Sequence, residues 1–376
     1  MNADSIIVKA KTRMLLASIA TLVGIVVGAG FLGIPKALTL SGYAPGVLIM
    51  VIVAFFMLIM CLFATELSLN TKKEYQMPGI IRKYLGSKIG LLSGIIFALI
   101  SFGAMTAYLL GCSSILSEYT SINQNMIMMV YFAVIFFIVY KGLKLIEKAE
   151  LYLGIGIIIF LAILTIILGN NFNADNLFSF ETSNLIIPLG VIIFSFGGFN
   201  VMTQIEQITN GDKNLMVKTS VIGMFIPFIF FLAFSTLMLG VFGNNIADIA
   251  TESLTGIIGI IGNTIAFLAM TSSYIISGLL LKDMLIDDYN IGKTKSTLLA
   301  MFSPLIFILI ASPNFINTLA FTGALLSGLF AIIVAFAVIK HRKIIRKKYY
   351  ETPGGIITPI FTILFFIIGI ISIIID

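Results

Sequence analysis

From residue 13 to residue 375 the chain is a series of apolar stretches, most of them long enough to cross the hydrocarbon core of a bilayer, separated by short polar breaks. In lipid such a stretch must satisfy its own backbone hydrogen bonds, which leaves helices or closed barrels. These stretches are apolar on all faces and do not alternate, so they read as helices. Eleven are counted: 13–38, 43–70, 89–117, 125–141, 147–169, 184–208, 215–242, 253–286, 296–312, 314–339 and 354–375. The boundary between the ninth and tenth rests on Ser312-Pro313-Asn314 alone. The expected architecture is an all-α polytopic membrane protein with 11 transmembrane helices. The first stretch, from about Met14 to Leu38, is too long for a cleavable signal peptide and reads as the first span.

The charges between stretches fall on alternate sides. One side receives Lys9, Lys11 and Arg13, then Lys72, Lys73, Arg82, Lys83 and Lys88, then Lys141, Lys144 and Lys148. Further along, the same side takes Lys213 and Lys218, then Lys282, Lys293 and Lys295, and last the run Lys340–Lys348. The opposite loops (118–124, 170–183, 243–252 and 312–314) hold Asp175, Glu181, Asp248 and Glu252 and no Lys or Arg. Positive charge stays on the cytoplasmic side, so the N-terminus is expected inside a plasma (inner) membrane and Asp376 outside. Contact of the Lys340–Lys348 run with anionic lipid is a secondary expectation.

The same distribution narrows the function. Only 11% of residues are charged, against roughly 25% in soluble domains. The formal charge of +6 lies in short clusters rather than along one basic face, so nucleic acid is not an expected partner. Cys61 and Cys112 sit inside apolar stretches, and the single histidine, His341, is read in a cytoplasmic loop between Lys340 and Arg342. An intramembrane enzyme would need a His, Asp or Ser constellation at depth, a channel would need rings of carboxylates or filter carbonyls, and an ATP-driven pump a GxxxxGK[ST] loop. None is in the sequence. Short loops give no sign of an obligate protein partner.

Two stretches are interrupted at mid-depth. The first contains Gly24-Ile-Val-Val-Gly-Ala-Gly-Phe-Leu-Gly-Ile-Pro35, too rich in glycine for an uninterrupted helix. In the sixth, Pro188-Leu-Gly-Val-Ile-Ile-Phe-Ser-Phe-Gly-Gly-Phe-Asn200 is broken by Ser195, Gly197, Gly198 and Asn200. Small residues also serve close helix packing, but paired interruptions in stretches one and six are what two five-helix units of opposite orientation produce. The units would be 13–169 and 184–339, with 354–375 an additional helix, all within one transport domain over 1–376. Half-helix ends meeting at mid-depth offer N–H groups to an anion and carbonyls to a cation, which suits an amino acid zwitterion.

With those motifs in hand, the chain resembles the amino acid–polyamine–organocation superfamily, whose members share the leucine-transporter fold. Gly28-Ala-Gly-Phe-Leu-Gly-Ile-Pro35 looks like the family's broken first helix, and Phe194-Ser-Phe-Gly-Gly-Phe199 like its sixth-helix motif. Glu206-Gln-Ile-Thr-Asn210 through Lys213-Asn-Leu215 is similar to the segment that follows it in amino acid permeases. The layout is closest to the aromatic and hydroxy amino acid permease branch. The resemblance implies a secondary active transporter, a cation-coupled symporter of a neutral, aromatic or hydroxy amino acid working by alternating access. It places the substrate carboxylate at the amides of Gly28, Ala29 and Gly30 and the ammonium at carbonyls of Val26, Val27, Phe194 and Ser195. Phe196 and Phe199 would wall the side-chain pocket, Gly197 and Gly198 would leave it room, and Tyr108 would offer a hydroxyl to the carboxylate.

Phe267-Leu-Ala-Met-Thr-Ser-Ser273 is similar to the eighth helix of sodium-coupled members. The implied ligands are the hydroxyls of Thr271 and Ser272 and the carbonyls of Leu268, Gly24 and Val27, an all-oxygen shell for Na+. The alternative is a proton, with Glu66 and Glu206 as carriers or gate residues. The lysine that replaces sodium in some relatives has no counterpart in span five between Leu151 and Leu168. Lys36, where the family often has an apolar side chain, either snorkels to the outer interface or faces the substrate path. A proton-coupled or uncoupled carrier of another small organic solute, and a transport-inactive amino acid sensor, remain as alternatives.

Overall fold

The computed structural model describes residues 3–71, 75–120, 122–141, 146–178, 184–311, 313–345 and 348–375. Lys72, Lys73, Lys144, Glu181, Ser312, Arg346, Lys347 and Asp376 lie outside the described residues. All regular structure among the described residues is helical. The first stretch forms α1 (Ala3–Val26) and α2 (Gly30–Ser41), and the second α3 (Tyr43–Leu69). After them come a short α4 (Met77–Leu85), α5 (Ser87–Glu118), α6 (Gln124–Lys141) and α7 (Ile146–Leu168). The sixth stretch forms α8 (Ile186–Ser195) and α9 (Met202–Ile208), joined by a single 3-10 turn at Phe199–Val201. Then follow α10 (Lys213–Phe242), α11 (Gly256–Asp287) and α12 (Lys293–Ala311). The tenth stretch forms α13 (Phe315–Phe321) and α14 (Gly328–Ile344) around a π-helical segment, Thr322–Ser327, and α15 (Ile357–Ile375) ends the chain.

Helix thus occupies every stretch counted in the sequence. Among the described residues, seven helical segments, with α8–α9 and α13–α14 each taken as continuous, are long and apolar enough to cross a bilayer. The number is eight when α1 and α2 count as one span bent by 47°. Large apolar side chains such as Phe55, Phe137, Ile166, Phe225, Phe361 and Ile368 are exposed. In water a surface of this kind would aggregate; facing lipid chains it is the low-energy arrangement.

Helices that are apolar all round need some other signal for their inward face, and small residues supply it. A Cβ added to Gly323, in the π segment, would collide with the carbonyl oxygen of Gly190 in α8. These two backbones therefore touch. The π segment carries its own marker: the Ser327 hydroxyl donates to the Thr322 carbonyl five residues back at 3.0 Å.

The basic side is tied together by polar clasps. Asp288, just beyond α11, accepts the backbone N–H of Gln76 (3.1 Å) and of Gly79 (2.8 Å), capping the N-terminus of α4. Glu66, near the end of α3 and fully buried, accepts from Arg342 Nε of α14 at 2.7 Å and from the Thr352 N–H at 2.8 Å. His341, expected in a solvated loop, instead lies in the last turn of α14, fully buried, with its ring edge-on to Tyr84. The tenth helix runs five residues past its expected end at 339, to Ile344. The apolar surface of α4 and of the α3 end supplies the burial that makes this extension possible, so the basic run begins inside the helix.

Candidate functional site

α1 stops at Val26 and α2 starts at Gly30. The N–H of Val27 still bonds back to Val23 at 2.8 Å, but the N–H groups of Gly28 and Ala29 make no backbone hydrogen bond. α8 ends at Ser195, where the Ser195 hydroxyl donates to the Val191 carbonyl at 2.7 Å. The two interruptions lie against each other: a Cβ on Gly30 would overlap Ser195 Oγ and Cα. Glycine is required at this crossing because any side chain would push the half-helices apart. A start of α2 and an end of α8 therefore meet in the interior, the first presenting N–H groups and the second carbonyls.

A narrow cavity of about 60 Å³ opens at this crossing, enough for a few water molecules. It is lined by Val26, Gly28 and Gly30 of the first interruption, and by Phe194, Gly197 and Asn200 of the second. α5 contributes Phe97, Ser101 and Tyr108, and α11 contributes Ser277 and Leu280. Phe97 and Ser101 of α5 and Ser277 and Leu280 of α11 lie toward the helix ends on the basic side, whereas Tyr108 lies past the middle of α5. On the other side the crossing is closed by aromatic packing. Phe31 of α2 meets Phe230 at 5.2 Å and Phe234 at 5.3 Å between ring centroids, both edge-on, and all three rings are buried. On the basic side, Lys11 pairs with Asp212 at 2.9 Å and Ser68 hydrogen-bonds Glu206.

Of the residues read from sequence as substrate contacts, Val26, Gly28, Gly30, Tyr108, Phe194 and Gly197 line this cavity. Val27 and Ala29 are buried within the interruption, and Ser195 is packed beneath Gly30. Phe196 and Phe199 are not brought to the cavity. Phe196 packs edge-on against Phe231 at 5.0 Å, and Phe199 stacks on Phe330 at 5.9 Å. Both are almost fully buried among other helices. The ring that walls the cavity is Phe194, tilted against Tyr108 at 6.5 Å. Phe196 still bonds back to the Ile192 carbonyl at 3.1 Å and keeps the register of α8, whereas Phe199 opens the 3-10 turn, whose tighter winding resets the face it presents.

The residues read as a sodium site are split in the same way. Thr271 faces the scaffold, where its hydroxyl accepts from Tyr131 at 3.0 Å and sits 3.8 Å from Cys112 Sγ. Leu268 is 43% exposed on the outer surface of α11. The Thr271 hydroxyl is thus engaged away from the first interruption. Ser273 is the hydroxyl that reaches span one, donating to the Gly24 carbonyl at 3.4 Å and lying against Gly28 and Tyr108. Ser272 Oγ is buried with no hydrogen-bond partner. A buried, unpartnered hydroxyl next to one already on a carbonyl of the first interruption fits an oxygen-liganded cation. Two neighbouring serines stood in the motif, but which face of α11 meets α1 cannot be read from α11 alone.

The remaining candidates are held by partners. Glu206, on α9, accepts from Ser68, and Glu66 is locked to Arg342. Lys36 is half-buried on α2. Outside the spans, the Glu252 carboxyl is pushed up to about 7 by burial, and the nearby charges of Glu118 and Asp248 act in the same direction.

Comparison with known proteins follows this geometry. The sequence profile of the tryptophan/tyrosine permease family matches residues 11–374. A low affinity tryptophan permease of Escherichia coli K12 is 24% identical over 387 residues, covering 92% of each chain. Glutamine transporter 2 of Aliivibrio fischeri is 24% identical over 386 residues, covering 95% of this chain and 98% of that one. Among solved structures, MhsT in complex with L-phenylalanine superposes with a TM-score of 0.71 at 14% identity, over 95% of this chain and 98% of that chain. A nucleobase-cation-symport-1 family transporter, closed around bromovinylhydantoin, gives 0.65 at 14% identity, over 95% and 90%. These two likenesses show that the fold is of the leucine-transporter type.

Proposed function

This chain belongs to the tryptophan/tyrosine permease family, a multi-pass membrane amino acid permease rather than an enzyme, and on that premise we propose that it is a cation-coupled symporter of a neutral amino acid of the aromatic or hydroxy class. The observation that carries this reading is the contact of the two interruptions at Gly30 and Ser195, with unbonded N–H groups at Gly28 and Ala29 beside them. In this reading those N–H groups receive the substrate carboxylate. The ammonium faces the carbonyl ends of α1 and α8 near Val26, Val27, Phe194 and Ser195, and Tyr108 adds its hydroxyl. The relatives, a tryptophan permease and a glutamine transporter, support a neutral amino acid.

The architecture proposed with it has 11 spans, as two inverted five-helix repeats over 13–169 and 184–339 and an extra helix at 354–375. Its N-terminus is cytoplasmic and its C-terminus extracytoplasmic in the plasma membrane. The segregation of Lys and Arg supports that orientation. The cavity then opens toward the cytoplasm, and the Phe31–Phe230–Phe234 cluster is the closed outer gate. A cavity of about 60 Å³ is too small for an amino acid, so the half-helices must part before substrate is held.

We assign the coupling cation to Na+, held by the hydroxyls of Ser272 and Ser273 with carbonyls of Gly24 and Val27. When bound, the ion would supply positive charge that pulls α1 onto α11 and fixes the N–H groups at Gly28 and Ala29. The test is uptake of labelled tryptophan, tyrosine, serine and glutamine into proteoliposomes under an inward Na+ gradient or an inward proton gradient. Sodium-driven uptake that Ser273→Ala loses and Thr271→Val keeps is the expected result. Proton-driven uptake, indifferent to Ser272 and Ser273, overturns the sodium assignment and leaves the amino acid permease standing.

A further inference from the structure

The polar groups that line the cavity are not equivalent. Ser101 Oγ donates to the Phe97 carbonyl at 3.0 Å, and Ser327 Oγ to that of Thr322 at 3.0 Å. Tyr108 and Ser277 interact with each other through their hydroxyls. Each of these groups has a partner within the protein. Asn200 differs: it lines the cavity, and its side-chain Oδ1 is buried with no hydrogen-bond partner. Its backbone carbonyl receives the Thr203 hydroxyl at 3.5 Å, so Thr203 engages the main chain and not the amide. The residue stands in the 3-10 turn between α8 and α9, on the same cavity as Gly28 and Gly30.

An unsatisfied amide oxygen away from water is an expensive state, kept where something else completes it. Within this cavity the completing group is the side chain of whatever the crossing holds. We propose that Asn200 is the specificity-determining residue, whose Oδ1 accepts a hydrogen bond from an N–H or O–H on the substrate side chain. The substrate class is then narrower than neutral amino acids: it is those whose side chains carry a donor, an indole N–H, a phenol, a carboxamide or a hydroxyl. Apolar counterparts of the same shape are rejected because they leave Oδ1 unpaired in a closed site. This rests on the reading of the crossing as an amino acid site.

The experiment compares matched pairs of labelled substrates in proteoliposomes: tyrosine against phenylalanine, and tryptophan against 1-methyltryptophan. Wild-type protein is expected to favour the donor-bearing member of each pair by at least about tenfold in kcat/KM, a floor well beneath the roughly 10⁴-fold that a dedicated hydrogen-bonding site reaches against an analogue lacking the group. Asn200→Ala should bring both ratios to within about threefold of unity, chiefly by losing the donor-bearing substrate. Asn200→Ser keeps an oxygen at shorter reach and should fall between, and it decides the matter if the alanine variant fails to accumulate. Equal uptake of both members by wild type, or ratios unchanged in either variant, overturns the role of Asn200 and leaves the permease reading intact. A sealed, correctly loaded wild-type preparation that takes up no amino acid overturns the parent reading instead.

Discussion

Replacing Arg342 by methionine strands the Glu66 carboxylate in the interior. That carboxylate is fully buried and accepts from Arg342 Nε at 2.7 Å, Arg342 Nη2 at 2.5 Å and the Thr352 N–H at 2.8 Å, while His341 Nδ1 lies 3.4 Å away. Removing one partner of a buried pair costs about 3–5 kcal/mol, because the other charge is left uncompensated. The converse change, Glu66→Gln, is expected to cost less, about 2 kcal/mol. Arg342 keeps the Thr352 carbonyl at 3.0 Å, the Gly355 carbonyl, and Glu351 at 3.6 Å. Removing both charges in Glu66→Leu/Arg342→Met should cost less than Arg342→Met alone, since well-packed apolar pairs replace buried ion pairs at little loss. Thermal unfolding of the purified protein in detergent reads this out. At about 2 °C per kcal/mol for a large chain, Arg342→Met should melt roughly 6–10 °C below wild type, and the double variant should recover at least half of that. Losses that simply add, or an Arg342→Met midpoint within about 2 °C of wild type, would refute the clasp. Uptake by Glu66→Gln should keep whatever ion dependence the wild type has, since Arg342 and the Thr352 N–H already hold the carboxylate.

Three further outcomes follow from particular contacts. Gly30→Ala puts a methyl group into Ser195 Oγ and Cα, so uptake should fall at least tenfold while folded protein still accumulates, as judged by size-exclusion elution. Gly323→Ala drives a Cβ onto the Gly190 carbonyl, backbone that has no rotamer to escape by, and should lower the thermal midpoint, with a cost of about 1–3 kcal/mol for overpacking. The Glu252 carboxyl rises from 4.5 to about 7 in the folded protein, so the fold binds its proton more tightly than the unfolded chain does. Its contribution is fully present below about pH 4.5 and lost as pH rises through about 7. The thermal midpoint should therefore decline from pH 5 to pH 8, with a shallower slope in Glu252→Gln, and an identical slope in the variant would exclude this source.

The parts that could be read from sequence are those governed by one helix at a time. Stretch length fixed where helices lie, and the glycines at 28 and 30 and at 197 and 198 located both interruptions, because each effect acts over a few adjacent residues. What escaped depends on how two helices face each other. Thr271 and Ser272 were read as the hydroxyl pair, and one residue along a helix is a rotation of about 100°, enough to turn Thr271 to Tyr131 and bring Ser273 to Gly24. Phe196 and Phe199 pack away from the cavity, Phe196 in the register of α8 and Phe199 in a 3-10 turn that glycine permits but does not dictate. His341 escaped because a basic cluster reads as solvated until a partner is known, and its partners, Glu66 and Tyr84, lie more than 250 residues earlier in the chain. The membrane sharpens this asymmetry: with lipid as apolar as the helix surfaces, burial no longer marks the inward face. In such a chain an interior polar group without an internal partner is therefore a stronger pointer to what the protein binds than any apolar pattern. Asn200 in the cavity wall and Ser272 beside the Ser273–Gly24 contact are such groups at the crossing itself, and the substrate and coupling-ion proposals rest on them for that reason.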